Sequence, residues 1–249
     1  MEWLSNAEPN SIDIILTSPP YNTNKKGGAT LGKENVKGWS TVRYDIRLDV
    51  MSNEEYSAWI VELFKQFDRV LKPNGVILWN ANYGSMNTEC MYLTVAEIFR
   101  NTNFTMADDI CWKKSSAIPN NVSATQLTRI WEHVFVFCRR DEIKTFNTNK
   151  KVKSISHFGQ KFYETYYNFI EAKNNDGTCP LNKCTYSSEL CMKLLGIYGE
   201  EGMTVLDPFS GTGTTGLACK ALNMNYIGLE LSEKQNEWAK NRINSVENT

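Results

Sequence analysis

Short apolar runs alternate along the chain with segments of helical periodicity, and this alternation is the strongest constraint on the fold. The runs are nearly continuous, as expected for strands buried on both faces of a sheet. They cover residues 12–16, 76–79, 204–206 and 226–229, with further strands predicted near 104–112 and 133–138. Strands that alternate with helices predict an α/β fold, with a mostly parallel sheet and helices on both of its faces.

Two capping boxes mark the starts of predicted helices. Ser52 and Glu55 open a segment whose apolar residues recur at helical spacing, and Ser232 and Gln235 open the last helix. The sequence Pro73-Asn74-Gly75 predicts the end of the first of these helices. Further helices are predicted near 87–101, 187–198 and 214–222.

Length and charge favour one α/β domain of 249 residues with an inserted arm. The net charge of −1 excludes a uniformly basic coat but leaves room for a local basic face. Such a face is predicted in residues 139–178, which are polar, aromatic and lysine-rich. Within this segment, residues 139–161 carry a net charge of +5.

The remaining composition points to a protein of the cytoplasm. No apolar stretch approaches the length of a membrane span, and the first residues lack the basic and apolar regions of a signal peptide. In the cytoplasm the seven cysteines stay reduced, and we expect most of them to be small core residues. With two histidines and no Cys-x-x-Cys pair, the sequence predicts no metal site.

A glycine-containing loop follows the predicted strand 204–206. Glu230 follows Gly211 by 19 residues, at the end of the next strand, and this spacing is typical of a carboxylate that holds ribose hydroxyls. No lysine follows Gly213, as a phosphate-binding loop requires, and the third glycine of the NAD fingerprint is absent. The pattern predicts a nucleotide-type cofactor site, with a plain glycine turn as the alternative. The loop residues that form this pattern are Asp207, Phe209, Gly211, Gly213 and Thr214.

A second unusual loop, Ser18-Pro19-Pro20-Tyr21, follows the predicted strand 12–16. Two consecutive prolines fix the backbone and remove two donors, so the Ser18 and Pro19 carbonyls are left to accept hydrogen bonds from a ligand. The Ser18 hydroxyl is another acceptor, and Tyr21 offers an aromatic face. The loop therefore suits a planar ring that bears an amino group, although a proline-stiffened turn is the alternative.

Together the two loops resemble those of a known family. Ser18-Pro19-Pro20-Tyr21 resembles the catalytic motif of amino-methylating DNA methyltransferases, and 207–213 resembles their S-adenosylmethionine loop. Their order along the chain resembles the β-group of these enzymes, over about residues 8–245. The resemblance implies a circularly permuted, Rossmann-like methyltransferase fold in a single domain, 1–249, with 139–178 as a small inserted target-recognition region.

The resemblance also implies that the cofactor is bound by Asp207, Phe209, Gly211, Gly213 and Thr214, with Glu230 on its ribose. It further implies a mechanism. A base is flipped out of double-stranded DNA, its amine donates to Ser18 and to the Pro19 carbonyl, and its ring stacks on Tyr21. No cysteine nucleophile is required, and Cys179-Pro180 is the reverse of the Pro-Cys motif of cytosine-C5 enzymes. Thr185 and Ser187 are candidate contacts for the methionine carboxylate of the cofactor, while a helix N-cap is an equal explanation for Ser187.

Several alternatives stay open within this interpretation. Serine before the two prolines is typical of cytosine-N4 enzymes and aspartate of adenine-N6 enzymes, so cytosine N4 is favoured. The other hypotheses are adenine N6, a non-catalytic DNA-binding module, and an RNA or protein-amide acceptor. A homodimer and a cognate restriction endonuclease are further candidate partners. The predicted DNA contacts are Lys25, Lys26, Lys113, Lys114, Arg139, Arg140, Lys150, Lys151 and Lys153, with the aromatic side chains of Phe158, Phe162, Tyr163, Tyr166, Tyr167 and Phe169.

Overall fold

The structure is a computed structural model that describes residues 2–22, 51–84, 87–117, 119–121, 123–177 and 185–245. The predicted loop 22–50, with Lys25 and Lys26, lies almost wholly outside the described residues. The described elements are α1 (Glu2–Asn6), β1 (Ile12–Thr17), α2 (Asn53–Val70), β2 (Leu71–Ala81), α3 (Cys90–Asn101), β3 (Phe104–Lys114), β4 (Trp131–Arg139), β5 (Val152–Ile155), β6 (Lys161–Tyr163), β7 (Phe169–Ala172), α4 (Ser188–Tyr198), β8 (Thr204–Asp207), α5 (Thr214–Ala221), β9 (Asn225–Gly228) and α6 (Glu233–Asn244).

One sheet of seven strands has the order β7-β3-β4-β2-β1-β8-β9. The β1–β2, β1–β8, β8–β9 and β3–β7 pairs are parallel, whereas β4 is antiparallel to both of its neighbours. The prediction of a mostly parallel sheet is therefore confirmed. The strand β4 also creates a reversal, because its first residues lie at the edge where the parallel strands end.

Strand register brings the two unusual loops to one edge of the sheet. In the β1–β8 pair, Ile15 lies opposite Leu206, so both strands reach their carboxyl ends together. On the other side of β1, Thr17 lies opposite Trp79, shortly before β2 ends. Ligands of open α/β sheets bind outside the carboxyl ends of such strands. The fold thus positions the two loops for a shared site.

Helices cover both faces of the sheet, as predicted. Helices α1, α2 and α3 pack on one face, and α4 and α5 contribute to the core on the other. The buried ring of Phe64 in α2 is central to the first face, with ring-centroid distances of 5.2 Å to Trp79 and 5.2 Å to Phe137. Because helices cover both faces of the sheet, its central strands are buried on both faces. This burial explains their nearly continuous apolar sequences.

The predicted boundary between α2 and β2 is wrong in detail. The helix ends at Val70 and the strand begins at Leu71, ahead of Pro73-Asn74-Gly75. These three residues instead lie in a bulge, because Ile12 pairs with Leu71 while Ile14 pairs with Val76. Asn74 has a positive φ of 63°, as one residue of such a bulge often does. The side chain of Leu71 is fully buried, and its extended backbone already ends the helix.

The predicted insertion 139–178 is only partly separate from the sheet. Strands β5 and β6 form a two-stranded hairpin of their own, and all of their side chains are exposed. The chain then returns to the main sheet, where β7 extends its edge beside β3. The sequence did not predict β7 because only alternate residues of this short strand are buried.

Cysteine burial agrees with the predicted role in the core. Cys90, Cys138, Cys191 and Cys219 are buried thiols, and burial raises the pKa of Cys138 to about 11. Cys179 and Cys184 lie outside the described residues. Within the described ranges, no group of three His, Cys, Asp or Glu side chains could hold a metal ion. None of the helices described combines the length and apolar character needed to cross a membrane.

Candidate functional site

A buried carboxylate joins the two loops at the edge of the sheet. Asp207 Oδ1 accepts a hydrogen bond from Thr17 Oγ1 at 2.6 Å, directly before the Ser18 loop. Its Oδ2 accepts from Thr215 Oγ1 at 2.6 Å and from Tyr186 Oη at 3.1 Å. Burial raises the pKa of Asp207, and the hydrogen bonds that it accepts oppose that shift. Asp207, predicted as a cofactor contact, therefore lies beneath the loop and connects it to β1.

The glycine loop has the geometry of a compact cradle. Gly211 donates its backbone N–H to Glu230 Oε2 at 2.9 Å, so Glu230 lies beside the loop as its spacing predicts. The half-buried ring of Phe209 packs edge-on against Trp59, with 5.8 Å between centroids. Thr212 Oγ1 is buried and has no partner among the described residues. A half-buried carboxylate, an aromatic surface and an unpaired hydroxyl are suitable groups for a nucleoside-type ligand.

Helix α5 begins directly after this cradle, at Thr214. Its N-cap, Gly213, has a φ of 78° and gives the helix no side-chain cap. Because helix N-terminal N–H groups have no partner within the helix, they are available to a ligand. The hydroxyl of Thr214 is buried and accepts a hydrogen bond from Arg242 at 3.3 Å.

The Ser187 side chain forms hydrogen bonds within the protein. It is fully buried, donates to the Lys173 carbonyl at 2.9 Å and accepts from the Leu190 N–H at 3.3 Å. It is thus the N-cap of α4, the alternative explanation weighed from the sequence. Thr185, two residues earlier, is half-buried and close in sequence to Tyr186, whose hydroxyl reaches Asp207.

We predict that Gly213→Ala destabilises the protein by about 2–3 kcal/mol, measured as the free energy of unfolding in urea. A side chain at this φ is strained, and its Cβ would lie 2.8 Å from Ala239 Cβ in α6. The matched control is Gly159→Ala, which has a φ of 81° and no atom within 4 Å of the added Cβ. The control separates backbone strain from the clash. Equal losses in the two variants would show that close packing against α6 is unimportant.

The Ser18 loop ends in a polar cluster. Ser18 Oγ lies 2.9 Å from Tyr21 Oη, which in turn lies 2.9 Å from Asn80 Oδ1 and 3.1 Å from Glu132 Oε2. The structure therefore brings Ser18 and Tyr21 together, as their spacing predicts. The Tyr21 hydroxyl, not considered in the sequence prediction, is the centre of the cluster.

The two prolines of this loop are buried, and one of their carbonyls is occupied. The Pro20 carbonyl accepts a hydrogen bond of 2.6 Å from Tyr56 Oη in α2. Tyr56 is a site residue that the sequence prediction missed, because its helical spacing indicates only a core position. The bond fixes the backbone between Pro20 and Tyr21, and so stabilises the loop in this conformation.

Glu132 is the charged centre of the site, and it is only 7% exposed. Its carboxylate accepts hydrogen bonds from Asn80 Nδ2 and Asn82 Nδ2, both at 3.3 Å, and forms an ion pair with Lys114. One signal in the sequence could have found it. Asn80 and Asn82 follow a buried strand at its carboxyl end, and Glu132 directly precedes another predicted strand.

The structure does not bring all of the predicted DNA contacts to one surface. Lys113 pairs with Glu171 at 2.9 Å, and Lys114 is held by Glu132. Arg139 lies at the opposite edge of the sheet, because β4 runs antiparallel, and its Nε donates to Asp68 at 2.5 Å. Arg140 is also held there, by the Phe99 carbonyl. Both arginines therefore have partners within the protein at the edge opposite the two loops, and their assignment as DNA contacts stays a prediction.

Lys25 and Lys26 lie outside the described residues, and the other predicted contacts lie on and around the β5–β6 hairpin. Its aromatic side chains do not form a satellite core, because they are exposed, and Phe158 at the turn is 94% exposed. The exposed lysines of this segment are Lys150, Lys151, Lys153 and Lys161. The hairpin thus presents aromatic and basic groups together, a combination typical of nucleic-acid contact surfaces.

Comparison with known proteins gives consistent results. The N6_N4_Mtase family model, described as DNA methylase, matches residues 12–241. Type II methyltransferase M.HinfI of Haemophilus influenzae is 26% identical over 254 residues, which cover 99% of this chain and 67% of the relative.

Two solved structures are also similar. The cytosine-N4-specific PvuII DNA methyltransferase has a TM-score of 0.72 and 16% identity, covering 99% of this chain and 83% of that one. The M1.HpyAVI–SAM complex has a TM-score of 0.62 and 22% identity, covering 98% and 94%. These likenesses show a shared fold and confirm the Rossmann-like architecture.

Proposed function

This chain belongs to the family of N6/N4 DNA methylases, and we propose from that premise that it methylates the exocyclic amine of a base in double-stranded DNA, with S-adenosylmethionine as the methyl donor. The observation that carries the proposal is the meeting of the Ser18 loop and the glycine loop at one sheet edge, joined by the Thr17–Asp207 hydrogen bond. A non-catalytic module would not require both loops to be intact.

The glycine loop supplies suitable groups for S-adenosylmethionine. The residues that would hold it are Phe209, Gly211, Gly213 and Glu230, with Thr185 and the N-terminus of α5 near the same edge. Bound there, the cofactor supplies an electrophilic methyl group on a sulfonium. A relative of the same fold was solved as a SAM complex, which supports this assignment. The Glu230 carboxylate can exchange its backbone partners for ribose hydroxyls.

The Ser18 loop supplies groups for the amine. Flipping a base out of DNA costs a few kcal/mol, and stacking on Tyr21 can return about 1–3 kcal/mol of that. Ser18 Oγ and the Pro19 carbonyl would accept hydrogen bonds from the amine, which favours a pyramidal nitrogen with an available lone pair. Because the amine itself attacks the methyl group, no covalent enzyme intermediate is needed.

Cytosine N4 is the proposed target, and adenine N6 is the second candidate. Ser18 before the two prolines supports cytosine, as does the fold shared with a cytosine-N4-specific enzyme. Both amines need only an acceptor at this position, so the same site could serve either base.

The proposed partner is double-stranded DNA, contacted by the basic and aromatic β5–β6 hairpin. Phosphate contacts from Lys150, Lys151 and Lys153 would make binding weaken with salt. A cognate restriction endonuclease and a homodimer stay predictions, as does an action in the cytoplasm.

The test is a methylation assay with product identification. The purified protein is incubated with labelled S-adenosylmethionine and mixed-sequence duplex DNA, and the digested nucleosides are identified by mass spectrometry. N4-methylcytosine is the expected product. N6-methyladenine would keep the reaction and overturn the use of Ser18 as a guide to the base. A cofactor-binding protein that methylates RNA or a protein amide, and no DNA, would contradict the proposal.

A further inference from the structure

In the hydrogen-bond cluster at Tyr21, the surrounding acceptors determine which hydroxyl group donates to which. The Tyr21 hydroxyl has one hydrogen, and its neighbours Asn80 Oδ1 and Glu132 Oε2 can only accept. The Asn80 amide is oriented by its other bond, from Nδ2 to the His133 carbonyl at 3.0 Å. Ser18 Oγ must therefore donate its own hydrogen to Tyr21 Oη, at 2.9 Å. The lone pairs of Ser18 Oγ are then left to accept from another group.

Glu132 determines which groups donate in this cluster, because other partners fix the position of its carboxylate. Its Oε1 is held by Lys114 and by Asn82, so Oε2 faces Tyr21 and Asn80. The same carboxylate orients the Asn82 amide, whose buried Oδ1 has no partner among the described residues. A buried acceptor is costly to leave unpaired, and points to a donor on a ligand. Glu132 thus leaves two acceptors, Ser18 Oγ and Asn82 Oδ1, available to a ligand at this edge of the sheet.

We propose that Glu132 is a positioning residue, which acts through Tyr21 to hold Ser18 Oγ as an acceptor for the amino group of the target base. The inference rests on the proposed function, in which that amino group is the nucleophile. The amine of the base donates an N–H hydrogen toward Ser18. Ser18 Oγ can accept it only if the serine hydrogen points to another group. Glu132 ensures this from two hydrogen bonds away and does not touch the base.

Replacement by glutamine would reverse the cluster. An amide at position 132 must turn its oxygen toward the Lys114 ammonium, so its NH₂ group faces Tyr21 and Asn80. That NH₂ group would also face Asn80 Nδ2, donor against donor, so the Asn80 amide turns over. Tyr21 Oη then accepts from both amides, and its hydrogen is directed to Ser18. The Ser18 hydrogen in turn faces the amine, which places a donor against a donor. The volume of the side chain is unchanged.

The test compares Glu132→Gln with a matched control, Glu142→Gln. Like Glu132, Glu142 is a carboxylate paired with a cation, Arg139; it is half-buried and lies at the opposite edge of the sheet. Single-turnover methyl transfer is measured at saturating S-adenosylmethionine and DNA, together with the cofactor Kd and the thermal midpoint. We expect Glu132→Gln to slow transfer by about 10- to 100-fold with an unchanged Kd, and Glu142→Gln to leave the rate unchanged.

A double-mutant cycle then tests the route through Tyr21. In a Tyr21→Phe background, the change Glu132→Gln should slow transfer by less than about twofold, because the connection is already cut. Losses that multiply would overturn the proposal. If Glu132→Gln alone fails to fold, Glu132→Asp takes its place, because it keeps the charge opposite Lys114 but withdraws the carboxylate from Tyr21.

The outcomes separate this inference from the proposed function. Wild-type protein that methylates DNA, with variants at position 132 that do so equally fast, would overturn only the role of Glu132. Wild-type protein that binds the cofactor and methylates no DNA would overturn the proposed function, and the inference with it.

Discussion

Ser18→Ala is expected to slow methyl transfer by at least about 100-fold while the Kd for S-adenosylmethionine stays unchanged. The substitution removes the hydroxyl acceptor proposed for the target amine, and with it the partner of Tyr21 Oη at 2.9 Å. The glycine loop on β8 is a separate segment, so cofactor binding should survive. Single-turnover transfer and calorimetric titration of the cofactor measure the two quantities.

The matched control is Ser11→Ala. Ser11 directly precedes β1 at its other end, and its hydroxyl donates to the Glu8 carbonyl at 2.7 Å. It is the same chemical change, at the opposite edge of the sheet. Full transfer activity in Ser18→Ala would contradict the proposed role of the hydroxyl. A loss shared equally by both variants would indicate a general effect on the fold.

The second large effect concerns stability. Asp207→Ala is expected to lower the free energy of unfolding by about 3–5 kcal/mol, because it leaves buried hydroxyl donors without their acceptor. Those donors are Thr17 and Thr215, each 2.6 Å from the carboxylate, and Tyr186 at 3.1 Å. Cofactor binding should weaken as well, because the glycine loop loses its connection to β1. Urea unfolding and cofactor titration at one temperature measure both.

The control for this prediction is Asp68→Ala. Asp68 also pairs with a side chain from a distant segment, Arg139, but it is much more exposed. Partly exposed ion pairs contribute little to stability, so a loss of about 1 kcal/mol or less is expected. Asp207→Asn keeps the shape and one acceptor, and should fall between the two alanine variants. A small loss in Asp207→Ala would show that its buried partners find other acceptors.

Much of the fold could be predicted, because each sheet strand buried on both faces is nearly continuously apolar and several helices carry a local start signal. The capping box at Ser52 is present as predicted, with Glu55 as its partner. Strand β7 could not be predicted from the sequence because it is short and half-exposed. The bulge at Asn74 could not be predicted either, because the sequence Pro73-Asn74-Gly75 is also typical of a helix end.

The site was predictable only where its residues are close in sequence. Ser18 and Tyr21 share one loop, and the spacing of Glu230 reflects one strand–helix–strand unit. Glu132 contacts Tyr21 across 111 residues, through strand pairing that no local pattern encodes. The position of Arg139 could not be predicted for the same reason, since the direction of β4 decides which edge of the sheet it reaches.

The pairing of β1 with β8 has a consequence for how the molecule is made. These neighbours come from opposite thirds of the chain, and Thr17 and Asp207 are 190 residues apart. A ribosome must therefore synthesise most of the polypeptide before the centre of the sheet can close, and such long-range closure is slow. A nascent chain that stops before β8 carries Ser18 and Tyr21 with no cradle beside them. The proposed activity therefore requires that β8 has emerged from the ribosome and paired with β1.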